Sequence, residues 1–205
     1  MIAADLTNAL QRAYTKLKEQ GRRSVAQGTM TCRYFQPAET DMDGNEIPEL
    51  RCAVGHMIVK DHELWRCREG TSVEDALRFA TDAVRKITGT DEGYQEQMWS
   101  SLNLQKPEHT GVRRCALAIL TIAQFIHDKF KTSYWNEAYR ALIEFVGKIA
   151  PTLNFPDYGD SFSHNGTTIR VTTTFFREPK GAVTRITELS INLERTTVTV
   201  TEQEI

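Results

Sequence analysis

The chain has 205 residues, 40% of them hydrophobic and 25% charged. That is enough for one globular domain or one with an appendage, and it excludes a mainly disordered chain. The net charge of −2, from 25 basic and 27 acidic residues, argues against a protein that coats nucleic acid or anionic membrane by bulk charge. No apolar run reaches the roughly 18 residues of a membrane span. The first residues, Met1-Ile2-Ala3-Ala4-Asp5, lack the charged start and apolar core of a signal peptide. The four cysteines, Cys32, Cys52, Cys67 and Cys115, therefore read as reduced thiols in a cytoplasm.

Along the chain, Ile2, Leu6, Leu10, Ala13 and Leu17 recur at spacings of three and four and predict an amphipathic helix over 2–20, stopped by Gly21. Residues 30–54 predict a β-hairpin whose turn is Asp41-Met42-Asp43-Gly44-Asn45, the Asp-Gly pair favouring a tight reversal. Ala53 to Ile58 fits either a strand end or a helix start. Ser72 with Asp75 is a capping-box pattern, and it opens a helix expected to run over 73–88. A weaker helix follows over 91–103, around Tyr94, Met98 and Trp99. The most apolar helix covers 112–130. The last covers 133–149, with Ser133 as its N-cap and Trp135, Tyr139, Leu142 and Phe145 inward. At Pro151 the character changes. Residues 151–166 read as a boundary or long loop, and 167–202 alternate as two or three antiparallel strands in a meander. The expected fold class is α+β: four or five helices with a small hairpin over 1–150, and a β-rich extension over 151–205 packed on them or on a partner chain.

Four groups of residues could carry chemistry. Cys32, Cys52 and His56 offer sulfur and nitrogen ligands suited to zinc, with Cys67, His62 or His127 as a fourth. The close Cys-x-x-Cys spacing is missing, and buried apolar thiols are the competing reading. Cys52 or Cys32 with His127 and Asp128 could form a nucleophilic site. Neighbours on a helix point about 100° apart, which makes His127-Asp128 a poor pair. Arg22, Arg23, Ser24, Arg33, Arg51 and His56 could cradle a phosphorylated ligand, as could Arg113-Arg114. The fourth group, Asp41-x-Asp43, hints at a calcium loop, but its glycine arrives too early and a turn is the simpler reading. Tyr134-Trp135 could anchor an interface.

Several of these pieces occur in a recognisable order. They are Gln20-Gly21-Arg22-Arg23-Ser24, Cys32-Arg33-Tyr34, Arg51-Cys52-Ala53-Val54-Gly55-His56-Met57-Ile58, Glu69-Gly70, Gln124-Phe125-Ile126-His127-Asp128, and Trp135. Over residues 5–150 the set resembles a family of small proteins encoded by bacteriophages and prophages. The resemblance implies a phage origin and a life in the cytoplasm of an infected bacterium, and it brings no catalytic assignment. The expected function is that of an accessory protein which binds a host protein or sequesters a small ligand to modulate metabolism or defence. Its alternatives are a small cysteine- or zinc-dependent hydrolase centred on Cys52, His56 and His127, and a structural or scaffolding phage component. No cofactor is expected outside the zinc alternative. Self-association through the C-terminal β region is expected, because alternating threonine strands leave an edge for strand addition.

Overall fold

The computed structural model describes residues 1–24, 33–40, 42–81, 85, 88–179 and 181–205. The fold is mixed helix and strand. Among the described residues there are eight helices, a small N-terminal strand ladder and a C-terminal four-stranded antiparallel sheet.

Helix α1 (Ile2–Gln20) buries Leu6, Leu10 and Leu17 completely, as the spacing predicts. Each buried leucine contributes roughly 1.5–3 kcal/mol. Gly21 ends the helix at φ 69°, a left-handed position that suits glycine. The hairpin follows. Strand β1 (Phe35–Gln36) pairs with β4 (Leu50–Arg51), and β2 (Glu39–Thr40) pairs with β3 (Glu46–Ile47). Both pairings share one register, so this is a single hairpin interrupted in the middle. Pro37 and Pro48 fall in the gap, and proline has no N–H to give a ladder. Gly44 turns it at φ 83°. The part of the expected first arm at Met30–Cys32, and Asp41 of the turn, lie outside the described residues.

Ala53 to Met57 resolves as a helix, α2 (Ala53–Met57), capped by Cys52. Helix α3 (His62–Arg66) follows, then α4 (Val73–Arg78). Ser72 caps α4 as expected, its Oγ accepting the Asp75 N–H at 3.0 Å. The expected helix over 73–88 is interrupted at Phe79, and Arg85 and Thr88 are helical again. Phe79 turns extended and ends α4 after Arg78, while Val84 and Ile87 of that stripe lie outside the described residues. Helix α5 (Asp91–Ser101) buries Tyr94, Met98 and Trp99, and α6 (Thr110–Lys129) is the apolar central helix.

Ser133 is not an N-cap. It sits inside a 3₁₀ turn, Thr132–Tyr134, and α7 (Trp135–Lys148) starts one residue later without a side-chain cap. Trp135 is buried and Tyr134 is partly exposed, so the tryptophan is a core residue rather than a surface anchor.

The stretch over 151–166 is not a plain loop. Helix α8 (Ala150–Asn154) runs through Pro151, which stands in its first turn where the missing N–H costs nothing. Strand β5 (Ser161–His164) then opens the sheet. With β6 (Thr168–Arg177), β7 (Gly181–Asn192) and β8 (Thr197–Glu204) it forms a meander in the order β5-β6-β7-β8. The fourth strand was hidden because Ser-Phe-Ser-His has one apolar residue and no visible alternation. Ile169, Val171, Leu189 and Ile191 on one sheet face join the core of the helices. Two buried aromatic groups find partners: Trp65 Nε1 donates to Ser101 Oγ at 2.6 Å, and the Tyr139 hydroxyl donates to the Ala123 carbonyl at 2.7 Å, whereas Trp135 Nε1 is buried without a partner among the described residues. Among the described residues no helix is long and apolar enough to cross a membrane.

Candidate functional site

Most residues singled out in the sequence meet where α1 ends, and the junction begins with Gln20. Its Oε1 accepts the Arg51 N–H at 2.9 Å, and its Nε2 donates to the Arg51 carbonyl at 3.1 Å. The side-chain amide thus pairs with one residue of β4 as a neighbouring strand would. Nε2 also donates to the Arg22 carbonyl at 2.7 Å. His56 lies 3.0 Å away through its Nε2. A carbonyl oxygen only accepts, so His56 carries its proton on Nε2 and donates to Gln20.

Arg23 reaches across to the end of α6, donating to the carbonyls of Asp128, at 3.1 Å, and Phe130. A guanidinium at a helix C-terminus satisfies orphan carbonyls and complements the dipole. Ser24 is buried. Its N–H donates to His127 Nε2 at 3.4 Å and its hydroxyl donates to the Arg33 carbonyl at 3.1 Å. The expectation that His127 and Asp128 point apart is corrected here, for His127 Nδ1 lies 2.7 Å from Asp128 Oδ1. Because the Ser24 N–H can only donate, the His127 proton sits on Nδ1 and goes to Asp128. The imidazole is fully buried and stacks on Trp135 at 5.3 Å between ring centroids.

This geometry leaves His127 little catalytic capacity. A general base needs a ring nitrogen facing the proton it removes, and both nitrogens of His127 are engaged. Cys52 is buried, and its Sγ accepts the Gly55 N–H at 3.4 Å as the cap of α2. Gly55 is required by close approach: a Cβ there would stand 2.1 Å from the Tyr34 carbonyl oxygen. Glu69 secures the other side of the hairpin, accepting the N–H groups of Tyr34 at 2.9 Å and Phe35 at 2.8 Å. Burial raises the pKa of that carboxyl, outweighing the two backbone donors. Among the described residues, Gln20, Arg23, Ser24, Tyr34, Arg51, Gly55, Glu69 and His127 from these pieces are therefore parts of one joint around α1, the hairpin, α2 and α6.

Among the described residues the zinc candidates do not form a metal-holding group. Cys67 is exposed at the end of α3, and His62 packs on the Phe35 ring at 5.5 Å. Among the described residues no three His, Cys, Asp or Glu side chains are placed to hold a metal. Cys32 lies outside the described residues. Nor do the arginines converge on a single cradle. Arg51 pairs with Glu49 at 2.8 Å and covers the Phe35 ring, while Arg22 and Arg33 are exposed. Arg114 lines a separate cleft with Arg78 and His164.

His56 is the member of the joint that also faces a groove. Burial, and then the charge of Arg51, hold its imidazole neutral, with a pKa lowered to about 4. The sequence reading missed Gln20, Glu69 and Arg12 as working residues. Only the order of the motif pieces pointed to the first two, and nothing local marks Arg12 on the polar side of α1. No family model, no curated protein and no solved structure matches the chain.

Proposed function

We propose that this is a phage-encoded accessory protein that acts in the cytoplasm of an infected bacterium by non-covalent binding, of a host protein or of a small ligand able to carry phosphate. The phage-like order of motif pieces supports the origin. The engagement of His127 and Cys52 in internal bonds favours binding over hydrolysis.

The observation that carries the protein-binding reading is the open edge of β8. Thr184 and Ile205 exchange both backbone bonds at 2.9 Å. In an antiparallel ladder such pairs alternate, so Thr197, Thr199, Thr201 and Gln203 bond inward to β7. Val198, Val200, Glu202 and Glu204 then present their N–H and C=O groups to the free edge. This edge is eight residues long and carries no proline or lysine, the usual blocks to strand addition. The opposite edge, β5, is only four residues long, and Phe162 on it packs against Gly111 of α6. A host protein would add an extended strand to β8.

The test is capture from infected-cell lysate with wild-type protein and Glu202→Pro, followed by native mass spectrometry with metal analysis. The Glu202 N–H points away from β7 and its side chain is exposed, so proline there blocks strand addition without breaking the ladder. A partner held by wild type and lost by the variant supports the reading. Equal capture by both proteins overturns the β8 mode. Stoichiometric zinc would favour the hydrolase alternative, and incorporation into virions would favour the structural one.

A further inference from the structure

A groove of about 530 Å³ runs along the outward side of α1, lined among others by Asn8, Arg12, Thr15, Lys16, His56 and Val59. Among the described residues no aspartate or glutamate lines it. Arg12 is the unusual member. Its Nη2 rests on two carbonyls, Leu102 at 3.2 Å and Met57 at 3.4 Å, which fix the guanidinium at the ends of α5 and α2. Its Nε is buried without a partner. Its Nη1 is neither buried nor bonded among the described residues. A partly buried charge ordinarily has an anion beside it, yet no described carboxylate pairs with Arg12. One turn along, Lys16 adds a second cation, tied only to the exposed Glu19 at 2.8 Å. His56 faces the groove from α2, with one ring nitrogen on Gln20.

We infer that this groove is an oxyanion site that takes a small phosphate monoester, the phosphoryl group bound by Arg12 and Lys16, with His56 beside it able to donate from Nδ1 once that nitrogen takes up a proton. Arg12 Nη1, the guanidinium nitrogen still open to a ligand, and the neighbouring Lys16 ammonium are charged donors that suit a phosphate oxygen, and the volume lies within the range of small-ligand pockets. The field at His56 agrees. After burial, Arg51 from β4, His127 from α6 and Lys16 from α1 all disfavour its protonation, and only Glu19 opposes them. A bound phosphate would reverse that balance, so His56 becomes a reporter as well as a ligand. The inference gives a place to the small-ligand arm of the proposed function and leaves the β8 arm independent of it.

The probes are inorganic phosphate and adenosine 5′-monophosphate, titrated calorimetrically and followed by the NMR pH titration of the His56 ring. Saturable binding is expected. At saturation the His56 midpoint should move up from about 4 toward its ordinary 6.5. Lys16→Glu, an exposed change, should weaken binding at least tenfold with the fold intact, and Arg12→Gln should do the same wherever its melting curve stays cooperative. Tighter binding of the nucleotide than of phosphate would assign an organic moiety seated toward Val59, and equal binding would assign free phosphate. No saturable binding, an unmoved His56 midpoint, or unchanged affinity in Lys16→Glu would each overturn the site, while capture of a partner at β8 would still stand.

Discussion

Gln20 makes four hydrogen bonds with three residues: two with the Arg51 backbone, one with the Arg22 carbonyl and one with His56. Replacing it by alanine removes all of them. The Arg22 bond is solvent-exposed and counts for little. The other three are part-buried, and each is worth about 0.5–1.5 kcal/mol net, with more lost where the Arg51 N–H and C=O are left unsatisfied. Gln20→Ala should therefore cost about 2–4 kcal/mol. Gln20→Met, which keeps the stem and removes only the polar end, should lose most of that amount. Urea unfolding followed by tryptophan fluorescence measures both, and an unchanged m-value would show that the loss lies in stability rather than in compactness. A loss below about 1 kcal/mol in both variants would refute the reasoning, since the side chain would then not be acting as the strand partner of Arg51.

Three further outcomes follow from the same joint and core. Gly55→Ala places a Cβ 2.1 Å from the Tyr34 carbonyl oxygen, a main-chain atom; overpacking of this kind should cost about 3 kcal/mol or more, and a variant that melts with the wild type would show that α2 shifts away freely. In native alkylation with iodoacetamide, exposed Cys67 should label, while Cys115, buried and with its thiol pKa pushed up to about 12 by that burial, should label only on unfolding. Peptide mapping decides it, and fast native modification of Cys115 would contradict the packing of α6. The His56 pKa lies below its unfolded value, so the unfolded chain takes up a proton that the folded protein refuses as pH falls from about 6.5 to about 4. Stability present above pH 6.5 should thus decline through that window, by about 2 kcal/mol after allowing for partial solvent screening. His56→Gln should flatten this part of the pH profile, and an identical profile in the variant would remove His56 as its source.

The separation between binding and catalysis turns on the same bonds. Cysteine, histidine and aspartate are all present in the chain, and their order in the sequence is compatible with a nucleophilic site. What weighs against such a site at Cys52 and His127 is the donor on each acceptor. Ser24 gives its N–H to His127, Gly55 gives its N–H to Cys52, and Asp128 accepts the hydrogen bond from its neighbour His127. An amide that must be satisfied in a buried place takes up the lone pair that catalysis would need.

Much of the architecture was legible locally. The periods of three and four in α1, α6 and α7, the Ser72 cap, the hairpin turn at Gly44 and the alternation of β6 to β8 depend on side chains a few residues apart, and the helix stripe or strand pleat reads out their burial directly. The α+β class follows from those patterns alone. Other features required the assembled chain. Phe79 breaks the helix within the apolar stripe, before Arg85 and Thr88 are helical again. Ser133 yields its capping place to a 3₁₀ turn, and β5 exists because β6 offers it a ladder rather than because its own residues favour a strand. The site shows the division most clearly. The order of Gln20, Ser24, Arg51, Gly55, Glu69, His127 and Asp128 is visible in the sequence, but hydrogen bonds spanning up to 105 positions decide what each one does. Side-chain periodicity records what is buried; it does not record which donor meets which acceptor, because that depends on how separate elements are brought together by packing.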